Sequence, residues 1–496
     1  MYVFFSPDRD GRYYKYERVS HSGLRFFVSF ACPINNFMIR QLLPALFFLS
    51  SASTFAQTAI INRDTQISDL VAQISADSLR AHINGLVGFG TRHTLSVPAD
   101  ASAQVGKKGL GAARQWILGK FNQYAKQSGG RMTAALDTWT LQPDGKRVDK
   151  PANMGNVMAT LKGTDSNDNR IFIVQGHMDS RVTNVMNRES DAPGANDDGS
   201  GTAAVIELCR VMSKASFPAT VVFVTLTGEE QGLLGAEHLS ERAVQEKWNV
   251  EAVLNNDIMG SNNSSDTRII DNTRLRVFSE GLPGNLLKDT TGRIGQIRQF
   301  GNENDGKART LARYLKEIGE RYVENMEVVM VYRNDRYLRG GDHTPYVQRG
   351  FAAVRLTEMN ENYEHQHQDL RTENGIEYGD YPKFMDFEYL RKNTAINLAT
   401  LANLAKAPTI PQKVTVDVRN LTNSTALYWQ APQAGKVKGY YVLMRETYWP
   451  FWQKKFFTTK LGMTVPYSKD NYYFAVQAVS EDGNESLPVL PVPNLR

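Results

Sequence analysis

The sequence predicts an α/β fold with a mostly parallel central sheet flanked by helices, followed by a small C-terminal all-β sandwich. Two observations lead to this prediction. From about residue 150 to 406, short strands that are apolar throughout alternate with helices, which is typical of a parallel sheet covered on both faces. From residue 412 onward, short strands alternate apolar and polar residues, which is typical of a sandwich with one face in a core.

The N-terminal segment has the three parts of a signal peptide. A basic residue precedes an apolar run over 42–49, and small residues form a cleavage site before Gln57. The run is too short to span a bilayer. We therefore predict a signal peptide over 38–56 and an exported protein, secreted or periplasmic. Residues 1–37 would be a non-native or disordered extension upstream of a true start at Met38. A buried N-terminal helix is the alternative.

Charge and cysteine content limit the possible partners. The formal net charge is +5, and residues 1–56 contain six Lys/Arg and three Asp/Glu, so their removal leaves +2. A charge this small does not favour nucleic acid or an anionic membrane as a partner. Of the two cysteines, only Cys209 lies after the cleavage site, so the exported chain cannot form an internal disulfide.

Periodicity places the elements of the α/β region. Apolar residues at helical spacing predict helices over 67–90 and 111–127, before the sheet begins. Apolar runs predict the strands, and helical spacing predicts the segments between them. The predicted strands are 156–163, 170–177, 219–226, 250–257, 326–332 and 351–358, and the predicted helices are 201–215, 233–248, 306–324 and 390–406.

The composition changes after this region. We place one domain over 65–406, a Pro-containing linker over 407–411 and a second domain over 412–496. The Trp429 strand, the paired tyrosines that follow it and the YYFAVQAVSEDGNES segment resemble a fibronectin type III domain. Such a domain would bind a polysaccharide or protein partner, and a β-extension of the first domain is the alternative. The WPFWQKKFF segment is either a binding surface or, as we prefer, the core and edge of the sandwich.

Acidic residues and histidines follow several predicted strands directly. They are His177 and Asp179, then Glu229 and Glu230, then Asp257, and past the last strand His365 and His367. Asp197 and Asp198 lie in a Gly-rich loop that leads into a helix. Because ligands bind outside the carboxyl ends of strands in an open parallel sheet, we expect these side chains to form one cluster.

This set of side chains suits zinc, which binds imidazole nitrogen and carboxylate oxygen. More candidate ligands are present than one tetrahedral ion needs, so two ions become plausible. Asp197, Glu230 and Asp257 with a bridging hydroxide would balance the four charges of two Zn²⁺. Without cations, that many carboxylates at one sheet edge would repel one another.

Five motifs resemble, in order and spacing, those of the co-catalytic di-zinc aminopeptidase family. They are GHMDS, PGANDDGSG, GEEQGLLGA, NNDIMG and GGDHTPY followed by EHQHQD. The family also contains glutamate carboxypeptidases and glutaminyl cyclases. The resemblance covers about residues 65–406 and implies a zinc-exopeptidase fold (phosphorylase/hydrolase-like) for that domain.

The resemblance also implies a role for each site residue. His177 and Asp257 would hold one zinc, Glu230 and His365 the other, and Asp197 would bridge the two. Glu229 would be the general base that takes a proton from the attacking water and passes it to the leaving amine. Asp179 would orient His177. Asp198 would instead bind backbone N–H groups of its turn.

The residues alone do not decide whether His365 or His367 is the last metal ligand. The family pattern has an acidic residue four positions after the ligand, which His365 and Asp369 satisfy. We expect His367 to point the opposite way from His365 on an extended segment, and therefore away from the site. The sequence prediction is therefore His365.

We expect an exported zinc exopeptidase, in the first place an aminopeptidase acting on peptides. A carboxypeptidase or a glutaminyl cyclase of the same fold is the alternative, and the presence of His177 argues against a cyclase. A non-catalytic, metal-bearing binding protein is a further alternative, against which the retained Glu229 argues. Arg333, Arg336 and Arg339 would either recognise a substrate carboxylate or, as we prefer, pair with nearby acids.

Overall fold

The structure is a computed structural model that describes residues 3–7, 13–17, 62–97, 107–282, 286 and 290–494. The chain separates into two compact units, Met1–Ala59 and Ile60–Arg496. In the first unit, β1 (Val3–Pro7) pairs antiparallel with β2 (Tyr13–Glu17). The predicted signal peptide over 38–56 lies outside the described residues, as does the remainder of the predicted extension.

An eight-stranded mixed sheet forms the centre of the second unit. Its strand order is β3-β4-β6-β5-β7-β10-β8-β9. The bounds are β3 Met132–Leu141, β4 Ala152–Leu161, β5 Arg170–His177, β6 Thr220–Leu226, β7 Asn249–Asn256, β8 Arg274–Phe278, β9 Glu327–Val331 and β10 Ala353–Glu358. The four central strands β6, β5, β7 and β10 are parallel, whereas β3, β4 and β8 join the sheet through antiparallel pairs. The predicted parallel sheet is therefore correct for the centre, and its edges are mixed.

Helices cover both faces of this sheet. They are α1 Thr65–Ala72, α2 Ala76–Val87, α3 Gly109–Ala125, α4 Gly199–Met212, α5 Leu234–Gln245, α6 Arg293–Phe300, α7 Lys307–Tyr322, α8 Thr344–Gln348 and α9 Phe387–Lys406. Along β6, Val221 and Phe223 pack into the cluster that contains α4 and α9, while Val222 and Val224 pack into the cluster that contains α5 and α8. This two-sided burial explains why the central strands are apolar throughout. No helix among the described residues is long and apolar enough to cross a membrane.

Two departures from the predicted elements have local causes. The helix predicted over 67–90 is divided, because Ser75 caps a new helix by accepting a hydrogen bond from the Ser78 N–H at 3.2 Å. The strand β3 lies between the predicted helix over 111–127 and the first predicted strand, where no element was predicted. It lies at the sheet edge with only Met132 buried, so it lacks the continuous apolar run that identified the central strands.

The C-terminal region forms two small sheets over one core, as the sequence predicted. One sheet has the order β17-β14-β13-β19 and the other β16-β15-β18. The bounds are β13 Gln412–Asp417, β14 Thr425–Gln430, β15 Gly439–Glu446, β16 Lys454–Thr458, β17 Gly462–Val465, β18 Tyr472–Val479 and β19 Val492–Asn494. Trp429 and Leu427 of one sheet pack with Tyr440 and Val476 of the other. A small hairpin, β11 Arg371–Glu373 with β12 Ile376–Tyr378, lies between β10 and α9 in sequence.

The sandwich is joined to the α/β region through buried ion pairs. Asp305, just before α7, accepts from Arg313 at 2.8 Å and from Arg445 of β15 at 2.8 and 2.7 Å. Arg321 of α7 forms two bonds to the Glu485 carboxylate at 2.8 and 2.9 Å. Because these contacts link α7 to the sandwich, the two regions pack as one body.

Replacing Asp305 by asparagine is expected to destabilise the protein by about 3–5 kcal/mol, because two buried guanidinium groups lose their only shared carboxylate. Asp305 is 1% exposed, and both arginines are 3% exposed. The measurement is the midpoint of chemical denaturation. The control is Asp482→Asn, since Asp482 is 65% exposed and lies 3.9 Å from its cation, and it should change stability little. Equal midpoints for both variants would contradict the prediction.

Candidate metal centre

The carboxyl ends of three neighbouring parallel strands converge on one site. His177 is the last residue of β5, Asp257 directly follows β7, and Glu229 and Glu230 follow β6 by three and four residues. Since β5 lies between β6 and β7, these side chains emerge side by side at one sheet edge.

The start of α4 brings Asp197 to the same edge. Asp198 is the N-cap of this helix and accepts from the Gly201 N–H at 2.8 Å. Its other oxygen accepts from the His177 N–H at 3.0 Å, which ties the loop to the end of β5. Asp198 thus binds backbone N–H groups as the sequence predicted, and the side chain of Asp197 faces the cluster.

The site contains two adjoining groups of metal-ligand type. One comprises His177, Glu229 and Asp257, the other Asp197, Glu230 and His367, and within each group the ligand atoms lie within 4.8 Å of one another. Asp197 connects them. Its Oδ1 is 3.3 Å from His177 Nε2 and its Oδ2 is 2.8 Å from His367 Nε2. This intermediate position is the one that the resemblance implied for a bridging carboxylate.

The structure does not bring His365 to the site, so the prediction of this histidine is wrong. Its ring stacks on Phe384 with centroids 3.8 Å apart, and burial lowers its pKa to about 4. His367 lies in the cluster instead, with Nε2 2.9 Å from Glu230 Oε1. The prediction assumed an extended segment, whereas residues 363–367 form a turn that ends with His367 at φ 56°. Strand alternation puts residues two apart on the same face, so it gave no ground for separating the two histidines, and in this turn it does not apply.

The residues present fit a zinc centre. Imidazole nitrogens and carboxylate oxygens are donors that zinc prefers, and each group of three supplies both. Glu230 Oε1 is buried and makes no hydrogen bond with the described residues, although His367 Nε2 lies 2.9 Å away. Burial, together with the neighbouring Glu230 and Asp257, raises the pKa of Glu229 well above its usual range although His177 opposes the shift. Cations would relieve this accumulation of buried negative charge.

Proteins similar in sequence to this chain include probable zinc metalloproteases, in agreement with a zinc centre. Residues 156–384 match the model of peptidase family M28. A probable zinc metalloprotease of Leptosphaeria maculans is 43% identical over 431 residues, which cover 87% of this chain and 97% of that protein. The chain belongs to peptidase family M28. A probable zinc metalloprotease of Pyrenophora teres f. teres is 42% identical, with 87% of each chain covered. The M28 protein is thus a zinc metallopeptidase.

The LapA aminopeptidase of Legionella pneumophila superposes with a TM-score of 0.48 at 18% identity, covering 70% of this chain and 77% of that chain.

Asp179 organises the turn that carries the two glutamates of this M28 peptidase. Its carboxylate accepts from the N–H groups of Gly228, Glu229 and Glu230 at 2.9, 3.3 and 3.2 Å, and from the Thr94 hydroxyl at 2.8 Å. The His177 ring is held differently from our expectation. Its Nδ1 is 3.1 Å from the Asp179 main-chain carbonyl and 3.7 Å from the carboxylate. The main chain of Asp179 therefore orients His177, while the carboxylate orients the glutamates.

Asp179→Asn is expected to weaken zinc binding by roughly 10- to 100-fold, because an amide cannot accept from all the N–H groups that position Glu230. The measurement is a zinc competition titration with a chromogenic chelator. Thr94→Val is the matched control, since it removes one donor to Asp179 and leaves the turn's acceptor in place. A larger effect for Thr94→Val than for Asp179→Asn would contradict this role.

Two further buried residues hold the ligands and were not predicted. Arg355 of β10 lies 2.9 Å from Asp257 and also binds Asp335 at 2.9 and 3.0 Å. Asp380 accepts from the Asp197 N–H at 2.7 Å, and burial raises the pKa of Asp380 to about 7. The sequence contains an indication for Arg355, because a charged residue inside an apolar strand requires a buried partner of opposite charge. Asp380 has no comparable signal in the sequence.

An open cavity of about 310 Å³ lies over both groups of ligands. Besides cluster residues, it is lined by Arg147, Arg181, Gly232, Leu233, Arg336, Leu338, Arg339, Gly340 and Gln366. Gln366 donates to Asp197 Oδ2 at 3.0 Å. Of the three arginines that the sequence left open, Arg336 forms the expected ion pairs, with Asp335 at 3.1 Å and Glu361 at 2.8 Å.

The other described histidines do not join the metal-ligand groups. His93 and His343 are buried beside main-chain carbonyls, and His238 stacks on Trp139 with centroids 3.9 Å apart. His82 lies 3.7 Å from Glu207 among helices.

Proposed function

We propose that this M28 peptidase is an exported aminopeptidase that removes N-terminal residues from peptides and uses two zinc ions. The observation that carries the proposal is the paired set of ligand groups with Glu229 beside it, at the floor of an open cavity. A single structural ion would need neither two adjoining groups nor access to solvent.

The side chains would divide between the ions according to their positions. His177 and Asp257 would hold one, Glu230 and His367 the other, and Asp197 would contact both. Bound zinc supplies Lewis acidity, which acidifies water and polarises the scissile carbonyl.

Glu229 would act as the general base and then as the general acid. Its ligand atom lies within 4.8 Å of those of His177 and Asp257, so it can share a water molecule with them. It would accept a proton from that water and donate it to the leaving amine. Asp179 would support both transfers by holding the Glu229 N–H, which fixes where the carboxylate points.

The cavity supports action at a chain end. Its volume of about 310 Å³ is at the lower end of the roughly 300–1,000 Å³ typical of ligand pockets, which suits the end of a peptide better than a continuous chain. A carboxypeptidase is the second candidate, and the observation that favours it is the set of arginines around the cavity.

The test is a panel of peptides blocked at one end or the other. The zinc-loaded protein should cleave peptides with a free amine and a C-terminal amide, and should not cleave N-acetylated peptides. Removal of zinc with a chelator should abolish cleavage, and zinc should restore it. Cleavage of the N-acetylated set alone would establish the carboxypeptidase. Tight binding of two zinc ions without hydrolysis of any peptide would refute the enzyme proposal.

Export is proposed from the signal-like segment over 38–56. Expression from Met38 in a secreting host should release a protein whose first residue is Gln57. The control begins at Gln57 behind a new start methionine and should stay in the cells. Full-length protein retained in the cells with residues 38–56 still attached would contradict the proposal.

A further inference from the structure

We propose that Arg147 and Arg339 bind a carboxylate of the substrate, so that the enzyme prefers peptides with a negative charge close to the scissile bond. The inference rests on the proposed peptidase function, and it names the class of substrate. It follows from the charges that surround the cavity and from which of them already have partners.

Two of the four arginines that line the cavity are already paired with acidic residues of the protein. Arg181 donates to Glu230 Oε2 at 2.8 Å, and its Nη2 lies 2.6 Å from His367 Nδ1, so it contacts the ligand group itself. Arg336 pairs with Asp335 and Glu361. Both guanidinium groups are therefore paired with acids of the protein and serve the scaffold of the site.

The other two arginines are not paired with acids. Arg147 donates one bond, from Nη1 to the main-chain carbonyl of Glu230 at 2.9 Å, which holds its side chain at the cavity without neutralising it. Arg339 is exposed beside Gly340 and Leu338. Within the part of the chain that the structure describes, neither guanidinium lies within 4.0 Å of a carboxylate.

When zinc is bound, the positive charges of Arg147 and Arg339 are left without negative partners in the cavity. The acids that line the cavity are Asp197, Glu229, Glu230 and Asp257, and all of them belong to the ligand groups. Zinc would neutralise those carboxylates, because each ion carries two positive charges. The cavity wall would then present Arg147 and Arg339 without a counter-charge, and a carboxylate is the group that a guanidinium binds best in a two-bond arrangement.

Two kinds of substrate carboxylate have this chemistry. One is the C-terminal carboxylate of a dipeptide or tripeptide, whose amine would lie at the zinc end of the cavity. The other is the side chain of an aspartate or glutamate that follows the scissile bond. Both place one negative charge about a residue away from the reacting carbonyl.

The experiment compares matched substrates on the zinc-loaded wild type, Arg147→Gln and Arg339→Gln. Leucyl-glycine against leucyl-glycinamide tests the C-terminal carboxylate. Leucyl-glutamate α-amide, whose side-chain carboxylate is free, against leucyl-glutamine amide tests the acidic side chain, since both have an amidated C-terminus. The wild type should favour the charged member of at least one pair in kcat/KM, and each variant should reduce that preference by roughly tenfold to hundredfold, mainly through KM.

Arg333→Gln is the matched control, because Arg333 lies in the same loop but stacks on Tyr337 at 3.8 Å and does not line the cavity. It should keep the wild-type preference. Calorimetric titration of the same peptides into zinc-loaded Glu229→Gln gives a readout that needs no turnover. Absence of any preference in wild-type binding and kinetics would overturn the proposal, as would a preference that survives both cavity variants or falls equally in Arg333→Gln. Failure of the peptidase proposal is distinct, because it would appear as no cleavage of uncharged members either.

Discussion

Replacing Glu229 by glutamine is expected to lower kcat by roughly 10²–10⁴-fold while the protein still binds zinc in full. Glutamine preserves the size of the side chain, and the backbone N–H of residue 229 can still donate to Asp179. The change removes only the carboxylate that would accept a proton from water. The measurement is kcat on the best peptide of the panel together with zinc content by mass spectrometry.

The neighbouring substitution Glu230→Gln gives the matched comparison. Glu230 Oε1 lies 2.9 Å from His367 Nε2 and Oε2 lies 2.8 Å from Arg181, so this side chain is built into the second ligand group. Its loss should lower zinc content by about one ion per chain and lower activity as a consequence. If Glu229→Gln instead loses zinc and Glu230→Gln keeps it, the two roles are reversed.

These adjacent glutamates show what can be predicted from sequence. Apolar runs located the ends of β5, β6 and β7, and the rule that ligands gather at carboxyl ends brought His177, Glu230 and Asp257 together. That inference needs only strand boundaries and the order of the chain. It succeeds because a parallel sheet aligns its strand ends wherever the surrounding loops run.

The supporting residues could not be predicted in the same way. Asp179 was expected to act on His177, but its carboxylate faces the 228–230 turn, whose path depends on loop geometry. Asp380 reaches the Asp197 N–H from a part of the chain almost two hundred residues away. Hydrogen bonds of this kind follow from tertiary packing, and no local period in the sequence records them.

The packing of the sandwich against α7 also depends on tertiary structure and could not be predicted from local sequence. The alternation of apolar and polar residues predicted two sheets with a core, and Trp429 lies in that core. The identity of the domain as fibronectin type III stays a prediction. The contacts of Arg445 and Glu485 with α7 depend on how the two regions dock, and charged residues in β-strands of a sandwich are ordinarily read as solvent-facing.

The choice between the two histidines of EHQHQD has a direct test. His367→Ala is expected to remove zinc from the second ligand group, because its Nε2 is the only imidazole nitrogen beside Asp197 and Glu230 in the described site. The same substitution also removes the contact of Arg181 Nη2 with Nδ1 at 2.6 Å. Zinc affinity should fall by at least 10- to 100-fold, and activity should fall with it.

His365→Ala is the matched control, since it removes the same side chain two residues away. It deletes a ring that stacks on Phe384, so it should lower the stability of the protein. It should leave the zinc content nearly unchanged, because the ring lies outside both ligand groups. Zinc content near the wild-type value for His365→Ala, with loss of zinc for His367→Ala, is the expected result. The reverse pattern would mean that the turn over residues 363–367 rearranges when metal binds, so that His365 replaces His367 beside Glu230.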